Sequence, residues 1–319
     1  MNTNDIKRIC LFAGYSSKGV IEDYALYYLQ ELSKISDVYY LADNKILPEE
    51  LKKLIPYAKG AYGYRHGKYD FGSWQELIKK ISWEKIAEYD ELILTNDSVF
   101  GPLYDLKEFI ESIEKDKEWD LCGINTAYDF HTWHLSSYFL VIRKRGFLSD
   151  TFKEHINSIE KEDNVKKVIE KYEIGLSKKM VEAGFNVKNA VKFRKNIYIS
   201  WRSFFTAGSP LIKRKIFNDE LFLICKTLGW EKFINKHTKY DTSLIHNYVN
   251  QFKSRYRIFR ILNNKIFWQY AGKGIIKIVF TKERKLIRIF GIYLLNIYNY
   301  DSNKIKLVEK TDYKNKRHL

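Results

Sequence analysis

Apolar residues in this chain fall in short runs, separated by stretches with helical spacing. Ile6 to Ala13 predicts a first strand around Ile9-Cys10-Leu11-Phe12, followed by the polar loop Gly14-Tyr15-Ser16-Ser17-Lys18-Gly19. Ile21, Tyr24, Ala25, Tyr28, Leu29 and Leu32 then recur at the spacing of one helix face. Val38 to Leu41 predicts a second strand, and Pro48 with two following glutamates opens a helix to about Ile55. Ala61 to Tyr64 predicts a third strand. Gly67 to Gly72 reads as a loop, with Ser73 capping a helix that ends near Ile81. Leu92 to Leu94 is a fourth strand, Leu103 to Ile113 a helix and Leu121 to Gly123 a fifth strand. Such alternation implies an α/β fold with a mostly parallel central sheet and helices on both faces.

Further on, Leu135 to Ile142 has strand character, and Ser149 to Ile156 and Asp163 to Ala183 read as helices, the second closed by Gly184. Asn186 to Val191 is a short strand, and the pattern after Asp219 is helical through Asn250. Ile275 to Phe280 and Leu286 to Phe290 are strand-like, with Thr281 to Lys285 as the turn between them. The expected organisation is an α/β domain over residues 1–218 and a helical, then basic, C-terminal extension over residues 219–319.

Composition narrows the class. With 319 residues, 45% of them hydrophobic and 16% aromatic, the chain can bury a substantial core and is not of the disordered type. Cys10, Cys122 and Cys225 are odd in number and far apart, and the first two sit in apolar runs, which predicts buried thiols in a reducing compartment. No Cys/His cluster has zinc-ligand spacing. The start, Met1-Asn2-Thr3-Asn4-Asp5, lacks a secretory pattern, and no apolar stretch is long enough to span a bilayer. The expected location is cytoplasmic, peripheral on the inner face of the cell membrane. The net charge of +16 lies mostly after Gln251, where 17 Lys and Arg face 4 acids.

Candidate chemistry clusters in four stretches. In Tyr89 to Pro102, the apolar run stops on Asn96-Asp97-Ser98, three oxygen-bearing side chains at a strand end. Ligands bind outside the carboxyl ends of strands in open α/β sheets, and a carboxylate there suits a divalent cation holding a phosphate. The same residues would also serve as a turn capping the next helix. In Arg65 to Trp74, glycines flank Asp70, so the backbone can approach a ligand and Asp70 can accept from a sugar or ribose hydroxyl. A Gly-rich turn with Asp70 or Ser73 as cap is the competing reading. Thr126 to Phe139 gathers His131, His134, Asp129, two serines and aromatics including Trp133 and Tyr138, which suits sugar rings. His131 reads as structural. Glu173, taken alone, reads as one solvated acid of a charged helix.

Together these stretches resemble the rhamnan-synthesis F family of bacterial polysaccharide glycosyltransferases. The resemblance rests on Tyr69-Asp70-Phe71-Gly72-Ser73-Trp74, Leu94 to Leu103, His134-Leu135-Ser136-Ser137-Tyr138-Phe139, Tyr172 to Ser177 and the late segment Ser209-Pro210-Leu211-Ile212-Lys213, in that order over roughly residues 6 to 217. Ser136 departs from the glutamine expected there. The resemblance implies a GT-A-like nucleotide-sugar domain that transfers a sugar, rhamnose by the family name, from a nucleotide donor to a lipid-linked acceptor of a surface polysaccharide such as lipopolysaccharide or capsule. It implies inversion, with Glu173 as general base, or Asp129 in its place. Donor contacts are then expected from Gly67, Asp70, Asn96, Asp97, Ser98 and His134, and acceptor contacts from Trp133 and Tyr138. Asp97 would hold Mg²⁺ or Mn²⁺, although one aspartate stands where related enzymes have two.

The basic region mixes charge with Ile, Phe, Tyr and Trp268, a composition suited to an anionic membrane surface. A solvated face or a genome's compositional bias would look similar. No nucleic-acid motif is present. Two other readings stay open: a nucleotide-dependent transferase of another kind, and a non-catalytic basic binding module.

Overall fold

A computed structural model describes residues 6–116, 118–130, 132–217 and 227–251, and the backbone of five strands between Ile258 and Tyr298. His131, Cys225 and residues 281–283, within the expected turn, lie outside the described residues. The chain divides into two units, one holding the described residues up to Phe217 together with 227–251, the other the strands from Ile258 onward. The first unit therefore runs past the boundary expected at residue 218.

Eleven strands belong to the first unit: β1 (Arg8–Gly14), β2 (Asp37–Ala42), β3 (Gly60–Gly63), β4 (Glu91–Asn96), β5 (Val99–Phe100), β6 (Leu121–Gly123), β7 (Thr126–Asp129), β8 (Thr132–Leu135), β9 (Phe139–Arg143), β10 (Val187–Asn189) and β11 (Ile212–Lys213). Seven form the central sheet, in the order β10-β6-β9-β4-β1-β2-β3. All neighbours are parallel except that β9 runs antiparallel to both β4 and β6. The mostly parallel sheet expected from the alternation is thus the one observed.

The apolar runs work because both faces of the sheet are covered. Ile9, Leu11, Leu92 and Leu94 point into one core, with Trp74, Leu77 and Ile78 of the helix Tyr69–Ile81. Cys10, Phe12 and Ile93 point into the other, with Tyr24, Tyr28, Leu29 and Leu32 of the helix Asp23–Ser33. Successive strand residues alternate sides, so an unbroken apolar run marks a strand buried on both faces. The helices Trp230–His237 and Ser243–Asn250 join the second core through Ile234, Ile245 and Tyr248.

Three local expectations shift. The helix after the Gly67 loop starts at Tyr69, so Asp70 lies in its first turn and Ser73 inside it, where the Ser73 hydroxyl meets His66 Nε2 at 3.0 Å. Its cap comes from a distant residue, Asp43 at the end of β2, which accepts from the backbone N–H of His66, Gly67 and Tyr69 at 2.8, 2.7 and 3.1 Å. A carboxylate suits that helix end electrostatically. The strand expected over 135–142 divides into β8 and β9, because β7 and β8 form their own antiparallel hairpin. The helix expected over 163–183 is continuous but contains a π-helical stretch, Ile169–Ile174.

The second unit holds a five-stranded antiparallel sheet: β12 (Ile258–Leu262), β13 (Lys265–Tyr270), β14 (Lys273–Phe280), β15 (Arg284–Ile289) and β16 (Ile292–Tyr298), paired in sequence order. The two strand-like segments of the basic region are β14 and β15. The strands on either side of them have no counterpart in the sequence reading.

Candidate active site

The carboxyl ends of β1, β2 and β4 lie on one edge of the central sheet, and β9, being antiparallel, begins there, with Thr95 opposite Phe139. Two cavities line that edge. The larger, about 550 Å³, is lined by Asp70, Asn96 and Ser98, by Trp133, His134 and Tyr138, and by Glu173, Lys213 and the loop 193–198. The smaller, about 350 Å³, is lined by Gly14, Tyr15, Asp43, Arg65, Tyr69 and Asp70. Asp70 contributes to both.

A relay of hydrogen bonds holds the floor of the larger cavity. Lys213 Nζ donates to Ser98 Oγ at 2.9 Å, Ser98 Oγ donates to Asn96 Oδ1 at 2.6 Å, and Asn96 Nδ2 donates to Asp70 Oδ2 at 2.7 Å. Each member needs the next to stay in place. Lys213 is positioned by β11, which pairs with β5 so that Lys213 stands opposite Val99. The N–H of Arg214 adds a bond to the carbonyl of Ser98 at 2.8 Å. The Lys213 ammonium also lies 4.4 Å from the centre of the Tyr138 ring.

The charges feel one another. Burial, then the negative charges of Asp97 and Glu173, push the Asp70 carboxyl up to about 7, against Lys213 and Arg214. Burial brings Lys213 down to about 8, against the pull of Glu173 and Asp70.

Glu173 reaches the cavity from the π-helical stretch, and its Oε1 accepts the backbone N–H of Ser137 at 2.6 Å. π-Helical turns are rare and occur often at functional sites. Tyr138 is buried, its hydroxyl donating to Asn125 Oδ1 at 2.5 Å and its carbonyl accepting from Thr95 Oγ1 at 2.8 Å. His134 is buried, with Nε2 3.7 Å from the exposed Asp129. At the outer end, Trp133 is 63% exposed and its ring centre lies 4.9 Å from that of Tyr128.

Eight of the residues expected at the site, namely Asp70, Asn96, Ser98, Asp129, Trp133, His134, Tyr138 and Glu173, line the larger cavity. Gly67 and Asp97 line neither cavity. The Gly67 N–H is taken by Asp43. Asp97 accepts the N–H of Tyr15 at 2.8 Å on one oxygen, while the other faces the Arg214 guanidinium at 3.9 Å. Burial raises its carboxyl above the usual range, with Arg214 and the Tyr15 N–H opposing. A hard dication wants several oxygen ligands and no cation beside it. No group of three His, Cys, Asp or Glu placed to hold a metal occurs among the described residues. The donor set at Asp97 therefore does not fit a bound divalent ion.

Lys213, Tyr15, Asp43, Arg65 and the loop 193–198 had no assigned role in the sequence. Asp43 had a legible signal, since it follows a strand as Asn96 and Asp97 do. Cys10 and Cys122 are free and buried as expected, and burial pushes the Cys122 thiol up to about 12.

The fold is a mostly parallel α/β sheet with a cleft at the carboxyl edge of its strands. The profile of the family described as Rhamnan synthesis protein F matches residues 38–287. The chain belongs to the rhamnan-synthesis F family. The match extends beyond the motif-bearing part of the chain to reach β15. Among curated proteins, the uncharacterized protein y4gN of Sinorhizobium fredii is 25% identical over 178 residues, covering 55% of this chain and 46% of that protein. The chain thus spans less than half the length of the curated relative it matches. Among solved structures, the glycosyltransferase GlyE of Streptococcus pneumoniae is similar with a TM-score of 0.41 and 14% identity, over 81% of this chain and 67% of that one. The mannosyltransferase PcManGT of Pyrobaculum calidifontis, solved with GDP-Man and Mn²⁺, is similar with a TM-score of 0.37 and 8% identity, over 78% of this chain and 81% of that one.

Proposed function

We propose that the chain transfers a sugar from a nucleotide-sugar donor to a lipid-linked surface-polysaccharide acceptor by a single inverting displacement. The observation that carries this reading is the larger cavity itself. It places Asp70, Asn96, Ser98, Glu173 and Lys213 at the sheet edge and the exposed Trp133–Tyr128 pair at its outer end. Such a cleft offers hydrogen bonds to sugar hydroxyls within and an aromatic platform for an acceptor sugar without. The smaller cavity, with Tyr15, Tyr69 and Arg65, takes the nucleoside. Rhamnose is the donor sugar suggested by the family's name.

In the transfer, the bond between the anomeric carbon and the diphosphate oxygen breaks, and its electron pair leaves with that oxygen. The acceptor hydroxyl oxygen bonds the same carbon from the opposite face, and its proton passes to Glu173. The Ser137 N–H orients the Glu173 carboxylate and leaves its second oxygen for the acceptor. Asp129 is the second candidate base, but its side chain is 56% exposed and paired with His134, so it is less well held. Asp70 and Asn96 anchor the donor sugar. His134 supports the cavity wall from beneath Asp129.

The location proposed is the inner face of the cell membrane. It is supported by the +13 charge carried from Gln251 onward, which suits anionic lipid. No helix among the described residues is long and apolar enough to cross a membrane.

A thermal-shift screen of the purified chain against UDP-, dTDP- and GDP-sugars tests the transferase reading. A ligand that binds only the native state raises apparent stability. A shift with one nucleotide class supports the reading. No shift with any, in a folded sample, would favour a non-catalytic binding module.

A further inference from the structure

We infer that the departing diphosphate is held by Lys213 together with Ser98, and that its capture needs no divalent cation. The inference rests on the transferase reading above and concerns how its site handles charge. A nucleoside diphosphate leaves with about three negative charges near neutral pH, and something positive and fixed must meet them.

At the strand end, the carboxylate that would hold a metal is already committed. Asp97 is engaged by the Tyr15 N–H and faces Arg214, whose guanidinium also donates to the Tyr24 hydroxyl and lies 5.0 Å from the Tyr248 ring centre. Asp97 and Arg214 line neither cavity, and both side chains are half-buried. The positive charge held at the floor of the larger cavity is Lys213. Its ammonium has three donors, and among the described hydrogen bonds one goes to Ser98 Oγ. The remaining N–H groups are available to phosphate oxygens. Arg194 and Lys195 on the same cavity's rim add positive charge.

The placement is rigid. Lys213 is anchored by backbone pairing to β5, three residues beyond the end of β4, and by the Arg214 N–H to the Ser98 carbonyl. A preorganised cation of this kind stabilises developing charge without reorganising. The negative charges of Glu173 and Asp70 oppose the burial that lowers Lys213, so its ammonium, brought down to about 8, stays mostly charged at neutral pH. Asp97 then serves to hold Arg214 and the turn after β1, and so shapes the site without touching the diphosphate.

The test is isothermal titration calorimetry of the full chain with UDP, dTDP and GDP, in EDTA and again with Mn²⁺. The expected result is that one nucleoside diphosphate binds in EDTA with a Kd within about threefold of its Mn²⁺ value. Lys213→Met should weaken that binding about tenfold or more, the worth of a charge-assisted bond, and Lys213→Arg should recover most of it. Thermal melts of both variants check that they fold. Binding that vanishes in EDTA and returns with Mn²⁺ would overturn the inference while leaving the transferase reading intact. So would unchanged binding by folded Lys213→Met. If no nucleoside diphosphate binds under either condition, the transferase reading fails and the inference with it.

Discussion

Lys213 and Ser98, 115 positions apart, meet at 2.9 Å because the short strand carrying the lysine pairs beside the strand end carrying the serine. The pair turns the end of β4 into a charged floor. Ser98→Ala should leave the fold intact and free the lysine to swing. Nucleoside diphosphate affinity should then fall about three- to tenfold, near the worth of one hydrogen bond. An unchanged Kd would show that the hydroxyl does not hold the ammonium in place.

Glu173→Gln keeps the shape of the side chain but cannot take a proton. Turnover should drop about a hundred- to ten-thousand-fold, with donor affinity close to wild type. If Glu173→Gln turns over normally and Asp129→Asn does not, the base is Asp129.

Trp133 stands at the outer end of the cleft and is largely exposed, so removing it should cost little stability. Trp133→Ala should raise the acceptor KM about three- to tenfold, a loss typical of one aromatic contact, and leave the donor KM alone. Equal effects on both would place the ring elsewhere in the cycle.

Protonation of Asp70 gives stability a pH dependence. Its carboxyl is pushed up to about 7 in the folded protein, so between the ordinary carboxylate range and about pH 7 the native state binds more protons than the unfolded chain. Stability contributed by this group is present at low pH and is lost as pH rises through about 7. Lys213, brought down to about 8, works oppositely, since above about pH 8 the unfolded chain holds the extra proton and stability recovers. Melting temperatures of Asp70→Asn should therefore fall less than wild type between about pH 5 and 7. Parallel curves would remove Asp70 from the account.

Trp74 is buried on the helix that carries Asp70, and its indole N–H donates to the Thr95 carbonyl at 3.1 Å. Trp74→Ala should cost about 3–5 kcal/mol in chemical denaturation. A loss below about 1 kcal/mol would mean that the helix is held by something other than this contact.

Much of the scaffold was legible because its signals are local. Leu92 to Leu94 could be read as a short buried strand, and Asn96-Asp97-Ser98 as its polar end. The order of strands was not legible, since nothing near Phe139 says that β9 runs against its neighbours. The cap on the helix at Tyr69 was hidden for the same reason: the carboxylate comes from Asp43, outside the segment it caps. Glu173 was placed by resemblance, and the π-helical turn that presents it leaves no periodicity to read. Asp97 shows the limit of a motif. Its position at a strand end was read correctly, but a residue more than a hundred positions later, Arg214, decides what its charge can do.

The two-residue ladder of β5 and β11 also bears on how the molecule is made. Every strand of the central sheet has been synthesised by Asn189, yet the partner of Val99 is residue 213. A chain cut between these points contains every strand of the central sheet but lacks Lys213 of the cleft. On the reading proposed above, capture of the diphosphate therefore waits for a piece of the site that arrives from the far side of residue 200.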